Sequence, residues 1–214
     1  MIVYDSTTGT ARRLLDRHPS VMPQNLLIRT PIRDMSDFGG LLEMKTGVDG
    51  IALSRDGAWL SFAAMNHDTR YRMPTPLLTD PGASPEAIAA AVEAVGPKPL
   101  SDGLSIADDG TVFITDVEHG AVMALAPDGT LSTVVRDPRI RWADGLSFGL
   151  DGWLYLADSA IPHLVPQSAE HHAAQVPTRS GAFVRPARCT GPVIARCGGR
   201  AEPTRDRLAF SGVR

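Results

Sequence analysis

The fold this sequence predicts is all-β, a propeller only part of whose ring is present, and three observations predict it. The same short text occurs three times: GVDGIALSRDGAWLSFAA at 47–64, LSDGLSIADDGTVFITDV at 100–117 and WADGLSFGLDGWLYLADS at 142–159. In each copy two Asp-Gly pairs stand seven residues apart: Asp49 and Asp56, Asp102 and Asp109, Asp144 and Asp151. An alternating apolar run follows every second pair. The same punctuation at intervals of roughly 40–50 residues marks one unit used repeatedly, as in propeller blades.

Taken in order, residues 2–4, a turn over 5–9 and residues 11–15 read as the outer hairpin of a blade whose inner strands are absent. Each repeat then reads as an inner hairpin. In the middle copy Leu104 and Ile106, then Val112 and Ile114, alternate with small or polar neighbours, the period of strands. The second Asp-Gly between them suits a tight turn, because glycine takes positive φ freely and aspartate tolerates it. Trp59-Leu60 and Trp153-Leu154 open the corresponding strands of the other copies. Residues 121–126, a turn at Asp128-Gly129 and residues 130–135 complete a four-stranded blade in about 35 residues.

The spacing is uneven: Asp102 to Asp144 is 42 residues, whereas Asp49 to Asp102 is 53. The surplus falls in 79–96. There Ser84 is a good N-cap, Pro85 suits the first helical position, and AIAAAVEAV has high helix propensity. One short helix is expected between the outer strands of the first complete blade, its apolar side (Ile88, Val92, Val95) resting on that blade.

Composition bounds the function. The 214-residue chain is 43% hydrophobic and 21% charged with a net charge of −3, ordinary for a globular protein. It has no basic stripe, so no nucleic-acid partner is expected. No apolar run approaches the roughly 18 residues that span a bilayer, so no membrane partner is expected either. The N-terminal text has no signal-peptide pattern. HExxH and glycine-rich phosphate motifs are both missing. Glu118-His119 reads as a solvated turn, and Asp116 and Asp158, which end equivalent strands, as turn caps. Trp59, Trp153, Phe62, Phe113, Phe148 and Tyr155 are expected to pack between blades.

Residues 1–184 are read as the incomplete propeller domain. Residues 185–214 form an irregular tail with seven arginines and the only cysteines, Cys189 and Cys197. Either the tail is disordered or it is read out of frame in a GC-rich gene. Two cysteines without histidines at ligand spacing make no zinc site. Their redox state stays open.

VDGIALSRDGAWLSF, RYRMPTPLL, GPKPLSDGLSIADDGTVFITDVEHGAV and DPRIRWADGLSFGLDGWLYLADSAI occur in order, and together the chain resembles the yellow / major royal jelly protein family. Bacterial members of that family are described as related to gluconolactonases. The resemblance covers about residues 2–184. It implies a six-bladed propeller, here about three and a half blades, from a secreted, extracellular protein with a small-molecule ligand in the central channel. The tail departs from the family.

In a propeller the innermost strands line the axis, so Asp49, Asp102 and Asp144 should approach one mouth of the channel. Converging carboxylates repel unless a cation or hydrogen-bond donors compensate. Asp102 and Asp144 are therefore candidate ligands for Ca²⁺ or another divalent cation, which would polarise a lactone carbonyl in a metal-dependent, lactonase-type hydrolase. The other reading makes each Asp a structural acceptor of backbone N–H groups. Trp142, just before Asp144, is the aromatic expected near the mouth. Lactonase-type sites also use a glutamate from an early blade and an asparagine, neither of which is found in these repeats. The function expected is small-ligand binding, with the hydrolase and a structural or interaction role as alternatives. Blades bury their faces on neighbours, so uncovered faces favour self-association.

Overall fold

The computed structural model describes residues 1–149, 152–164 and 167–175 with their side chains, and 180–184 by backbone. Asp151, both cysteines and the tail lie outside the described residues.

A hairpin of β1 (Ile2–Asp5) and β2 (Thr10–Arg13) opens the chain. A small ribbon follows, β3 (Ser36–Asp37) with β4 (Leu42–Glu43). The first full blade is the antiparallel meander β5 (Val48–Leu53), β6 (Trp59–Ala64), β7 (Thr69–Pro74), β8 (Glu93–Pro97). The second is β9 (Leu104–Ile106), β10 (Val112–Asp116), β11 (Ala121–Leu125), β12 (Leu131–Arg136). In the third, β13 (Ala143–Phe148) pairs with β14 (Leu154–Asp158), which pairs with β15 (Ser180–Val184).

The inner strands neighbour one another, β5 on β9 and β9 on β13, so the sheets fan out from a common axis as propeller blades. Apolar faces fill the wedges between them. Ala63 meets Leu104, Val112, Ile114 and Leu125 between the first two blades. Phe113, Val122 and Val135 meet Leu154 and Leu156 between the next two. Phe113 and Phe148 cross that second wedge edge to face, 5.6 Å apart, the arrangement the ring quadrupoles prefer. Trp59 behaves differently: its ring carries the Arg72 guanidinium at 4.2 Å, from the same sheet. On β5, Ile51 and Leu53 are 56% and 55% exposed, with no blade against them.

The repeated Asp-Gly has two distinct jobs. In the second pair the glycine turns the chain: Gly57, Gly110 and Gly152 have φ of +69°, +85° and +76°. The preceding aspartates fix the turn, Asp56 accepting the Ala58 N–H at 3.0 Å and Asp109 the Thr111 N–H at 2.9 Å. In the first pair the glycine lets neighbouring inner strands close up. A Cβ on Gly50 would stand 2.8 Å from both the Asp102 carbonyl oxygen and Leu104 Cγ, and one on Gly103 would run into the Asp144 carbonyl oxygen.

The insertion differs from the sequence expectation. Ser84 does cap a helix, accepting the Ala87 N–H at 3.2 Å. That helix, α2 (Pro85–Ala90), stops early. Glu93–Pro97 is the fourth strand of the blade, and Val95 belongs to it. Pairing with β7 satisfies backbone groups that would otherwise be stranded at the blade edge, and this outweighs the helix propensity of an alanine-rich run. A second short helix, α1 (Thr75–Thr79), precedes α2. Ile88 is buried on the blade with Val92 packed beside it, as expected.

Residues 16–46 carried no readable pattern. They include a 3-10 turn at Pro19–Val21 and run across the end of the blades where the inner strands begin. There Ile28 and Met35 are buried against Met65, Leu100, Val117 and Trp142. Asn66 pins the segment by donating to the Leu26 and Met44 carbonyls at 3.0 and 2.9 Å and accepting the Thr46 N–H at 2.8 Å. Among the described residues no helix is long and apolar enough to cross a membrane.

Candidate functional site

The three first-pair aspartates sit at one end of the three adjacent inner strands. Asp49 is the second residue of β5, Asp102 lies two residues before β9, and Asp144 is the second residue of β13. Asp49 is exposed, while Asp102 and Asp144 are half-buried. Asp102 is the central member. Burial raises its carboxyl to about 7, reinforced by the charges of Asp144 and Asp49 and by hydrogen bonding to Asp49. The one opposing influence is the Trp142 indole, whose Nε1–H donates to Asp102 Oδ2 at 2.7 Å. Loss of hydration outweighs that single donor.

The backbone under Asp102 is fixed by Thr115, whose hydroxyl oxygen accepts the N–H groups of Asp102 and Gly103, both at 3.0 Å. Trp142 is fully buried. Ile28 and Met35 of the 16–46 segment pack in the same cluster as its ring, and its indole N–H reaches the aspartate trio at Asp102.

Asp158 anchors the next strand from below, accepting the Trp142 N–H at 2.7 Å, the Arg141 N–H at 3.2 Å and the Ala160 N–H at 3.3 Å. Its other oxygen meets Arg141 Nε at 3.1 Å. Replacing Asp158 with alanine strands these donors beside an Arg141 Nη2 that is already buried and unsatisfied. The expected loss is about 3 kcal/mol in urea unfolding. A loss below about 1 kcal/mol would show that Asp158 is not the anchor. Asp116 plays the turn-capping part, accepting the Glu118 and His119 N–H groups, each at 3.1 Å.

Glu118, expected as a solvated turn residue, is half-buried because its Oε1 accepts the Arg29 N–H at 2.8 Å. It helps line a cleft of about 500 Å³ together with Arg29, Glu43, Asp68, Lys98 and Leu100. Lys98 was missed from sequence, although a signal existed: it is one of only two lysines beside nineteen arginines. Burial is the main cause that lowers its ammonium to about 7. His67, also missed, is buried, which lowers its pKa, and its Nδ1 accepts the Thr69 N–H at 3.1 Å.

Among the described residues no group of three or more His, Cys, Asp or Glu side chains is drawn together so as to hold a metal ion. Asp102 has already committed one oxygen to Trp142. Among the described residues the trio does not by itself make up the donor set of a divalent cation.

No family model matches the chain, and no curated protein matches it. Among solved structures it is similar to a gluconolactonase from Xanthomonas campestris, at 15% identity over 73% of this chain and 61% of that one, TM-score 0.40. It is similar to the calcium-binding protein regucalcin from Agrobacterium tumefaciens, at 17% identity over 85% and 68%, TM-score 0.44. Virginiamycin B lyase from Staphylococcus aureus gives 12% identity over 72% and 54%, TM-score 0.39. The chain thus spans between 54% and 68% of the length of these proteins.

Proposed function

We propose that the acidic trio at the channel mouth hydrolyses a small polyhydroxy lactone of the gluconolactone type, with Asp102 as the proton-transferring group. The observation that supports this most directly is Asp102 itself, a half-buried carboxyl brought to about 7 between two further carboxylates. A group with its pKa near the working pH is present in both proton states, as general acid–base chemistry needs. As the carboxylate, Asp102 would take a proton from the attacking water. As the acid, it would hand that proton to the ring oxygen that leaves. Asp49 and Asp144 would accept hydrogen bonds from the hydroxyls of the substrate. The Trp142 N–H would hold one Asp102 oxygen in place and leave the other free.

In this reading the blades belong to a six-bladed, secreted propeller of the yellow / major royal jelly type. The sequence motifs quoted above support that assignment. A second reading is ligand binding without turnover, supported by Asp102 already committing one oxygen to the Trp142 N–H. A pH-stat assay of gluconolactone separates the two. Hydrolysis above the buffer rate, falling about 100-fold in Asp102→Asn, supports the enzyme. Calorimetric binding with no turnover supports the second reading, and neither binding nor turnover contradicts both. The cation is tested in the same calorimeter with Ca²⁺ alone, against Asp102→Asn and Asp144→Asn.

A further inference from the structure

Lys98 lies in the link between the first two full blades and is only 5% exposed. Its Nζ lies 2.9 Å from the Pro99 carbonyl oxygen, 3.3 Å from that of Met65 and 3.0 Å from Ser101 Oγ, a set that a neutral amine satisfies by donating to the two carbonyls and accepting from the serine hydroxyl. All three partners are neutral. The nearby carboxylates are engaged elsewhere. Asp68 Oδ1 accepts from Gln24 Nε2 at 3.0 Å and from the Thr69 hydroxyl at 2.8 Å. Asp116 accepts from its own turn and from His119 Nδ1, and Glu118 Oε1 holds the Arg29 N–H. Among the described residues no carboxylate touches the amine to keep it charged, and a buried amine without such a partner loses its proton readily.

Lys98 also lines the cleft of about 500 Å³ described above. Glu43, Asp68 and Glu118 outnumber Arg29 on its walls, so an anionic ligand is disfavoured. Carboxylates instead suit the hydroxyl groups of a neutral polyol. We propose that Lys98 is a nucleophilic amine that captures a small neutral hydroxyaldehyde in this cleft as an imine. The lysine nitrogen forms a bond to the carbonyl carbon, the carbon–oxygen bond breaks, and both amine hydrogens leave with that oxygen as water. Nothing is oxidised or reduced. The inference does not depend on the axial trio, of which only Asp102, four positions on, is near Lys98 in sequence.

Lys45 provides a built-in control. It stands beside the same cleft but is exposed, paired with Glu43 at 2.8 Å and in contact with Asn25. The full chain is incubated at pH 7 with glycolaldehyde and cyanoborohydride, which reduces any imine to a stable amine, and the adducts are mapped by peptide mass spectrometry. The expected result is an adduct at Lys98 that forms at least about tenfold faster than at Lys45, given the larger neutral fraction of its amine. Lys98→Arg should lose that adduct and leave the Lys45 adduct unchanged. Glyceraldehyde without reductant should protect Lys98 and not Lys45. Labelling of Lys98 no faster than Lys45, or none at Lys98, overturns the proposal, and both are read on the unmodified sequence.

Discussion

Gly103→Ala is expected to cost the fold about 3 kcal/mol or more, because the added methyl group has nowhere to go. It would be driven into the Asp144 carbonyl oxygen, with Gly145 Cα 3.2 Å away. All of these are backbone atoms, and a backbone held in a blade cannot rotate aside as a long side chain can. Relief requires β9 and β13 to separate, which opens the apolar wedge filled by Phe113, Val122, Leu154 and Leu156. Gly129→Ala is the matched control. Nothing lies within 4 Å of its would-be Cβ, but its φ is +86°, so only the backbone penalty of about 1 kcal/mol applies. Urea unfolding of the two variants compares close approach with turn geometry inside the same dipeptide. Equal losses would show that the inner strands are not in contact at Gly103.

The second large effect is a pH dependence. Asp102 has a carboxyl pKa of about 7 in the fold against an ordinary value of 3.8, so the folded chain holds a proton that the unfolded chain has released. For an acid raised in this way, the stabilising contribution is complete below about pH 4. It drains away as pH climbs towards 7 and beyond. The side chain is partly open to solvent, which screens the effect, and about 1–2 kcal/mol is expected rather than the full value of the shift. Asp102→Asn keeps an oxygen for the Trp142 N–H and removes the charge. Its melting temperature should match the parent near pH 4 and exceed it at pH 8, with the slope between pH 4 and 7 flattened. Parallel pH profiles for variant and parent would place the titrating group elsewhere.

Much of the fold could be read because its unit is local. An Asp-Gly turn and two alternating strands are set within about twenty residues, so Gly57 and Gly110 betray their positive φ through neighbours in sequence. The wedge contacts follow from the same alternation, as with Phe113 and Phe148. Local reading also correctly placed the Ser84 cap. It failed at Ala91–Val95, where helix propensity competed with a strand partner supplied by β7, about twenty residues earlier. Residues 16–46 were illegible because they follow no period. They are held by Asn66 and by burial of Ile28 and Met35 beneath distant loops.

At the site, sequence located the three aspartates, since the repeat itself points to them. It could not show that Trp142, forty residues from Asp102, donates to one of its oxygens. Nor could it show that Asp102 bears a raised pKa, because burial depends on every blade at once. The repeat also hid a division of labour: the aspartate stands at the entry of the inner strand while the glycine beside it admits the next strand.

Carbon-13 NMR titration of the aspartate side-chain carboxyls, assigned through Asp102→Asn, tests the proton-holding axial trio most directly. The Asp102 resonance should move with a midpoint near pH 7, while an exposed turn aspartate such as Asp56, lowered by its hydrogen bonds to Ser54 and Ala58, titrates in the acidic range below an ordinary carboxylate. A midpoint for Asp102 in that same acidic range would contradict the convergence of the three carboxylates and the chemistry built on it.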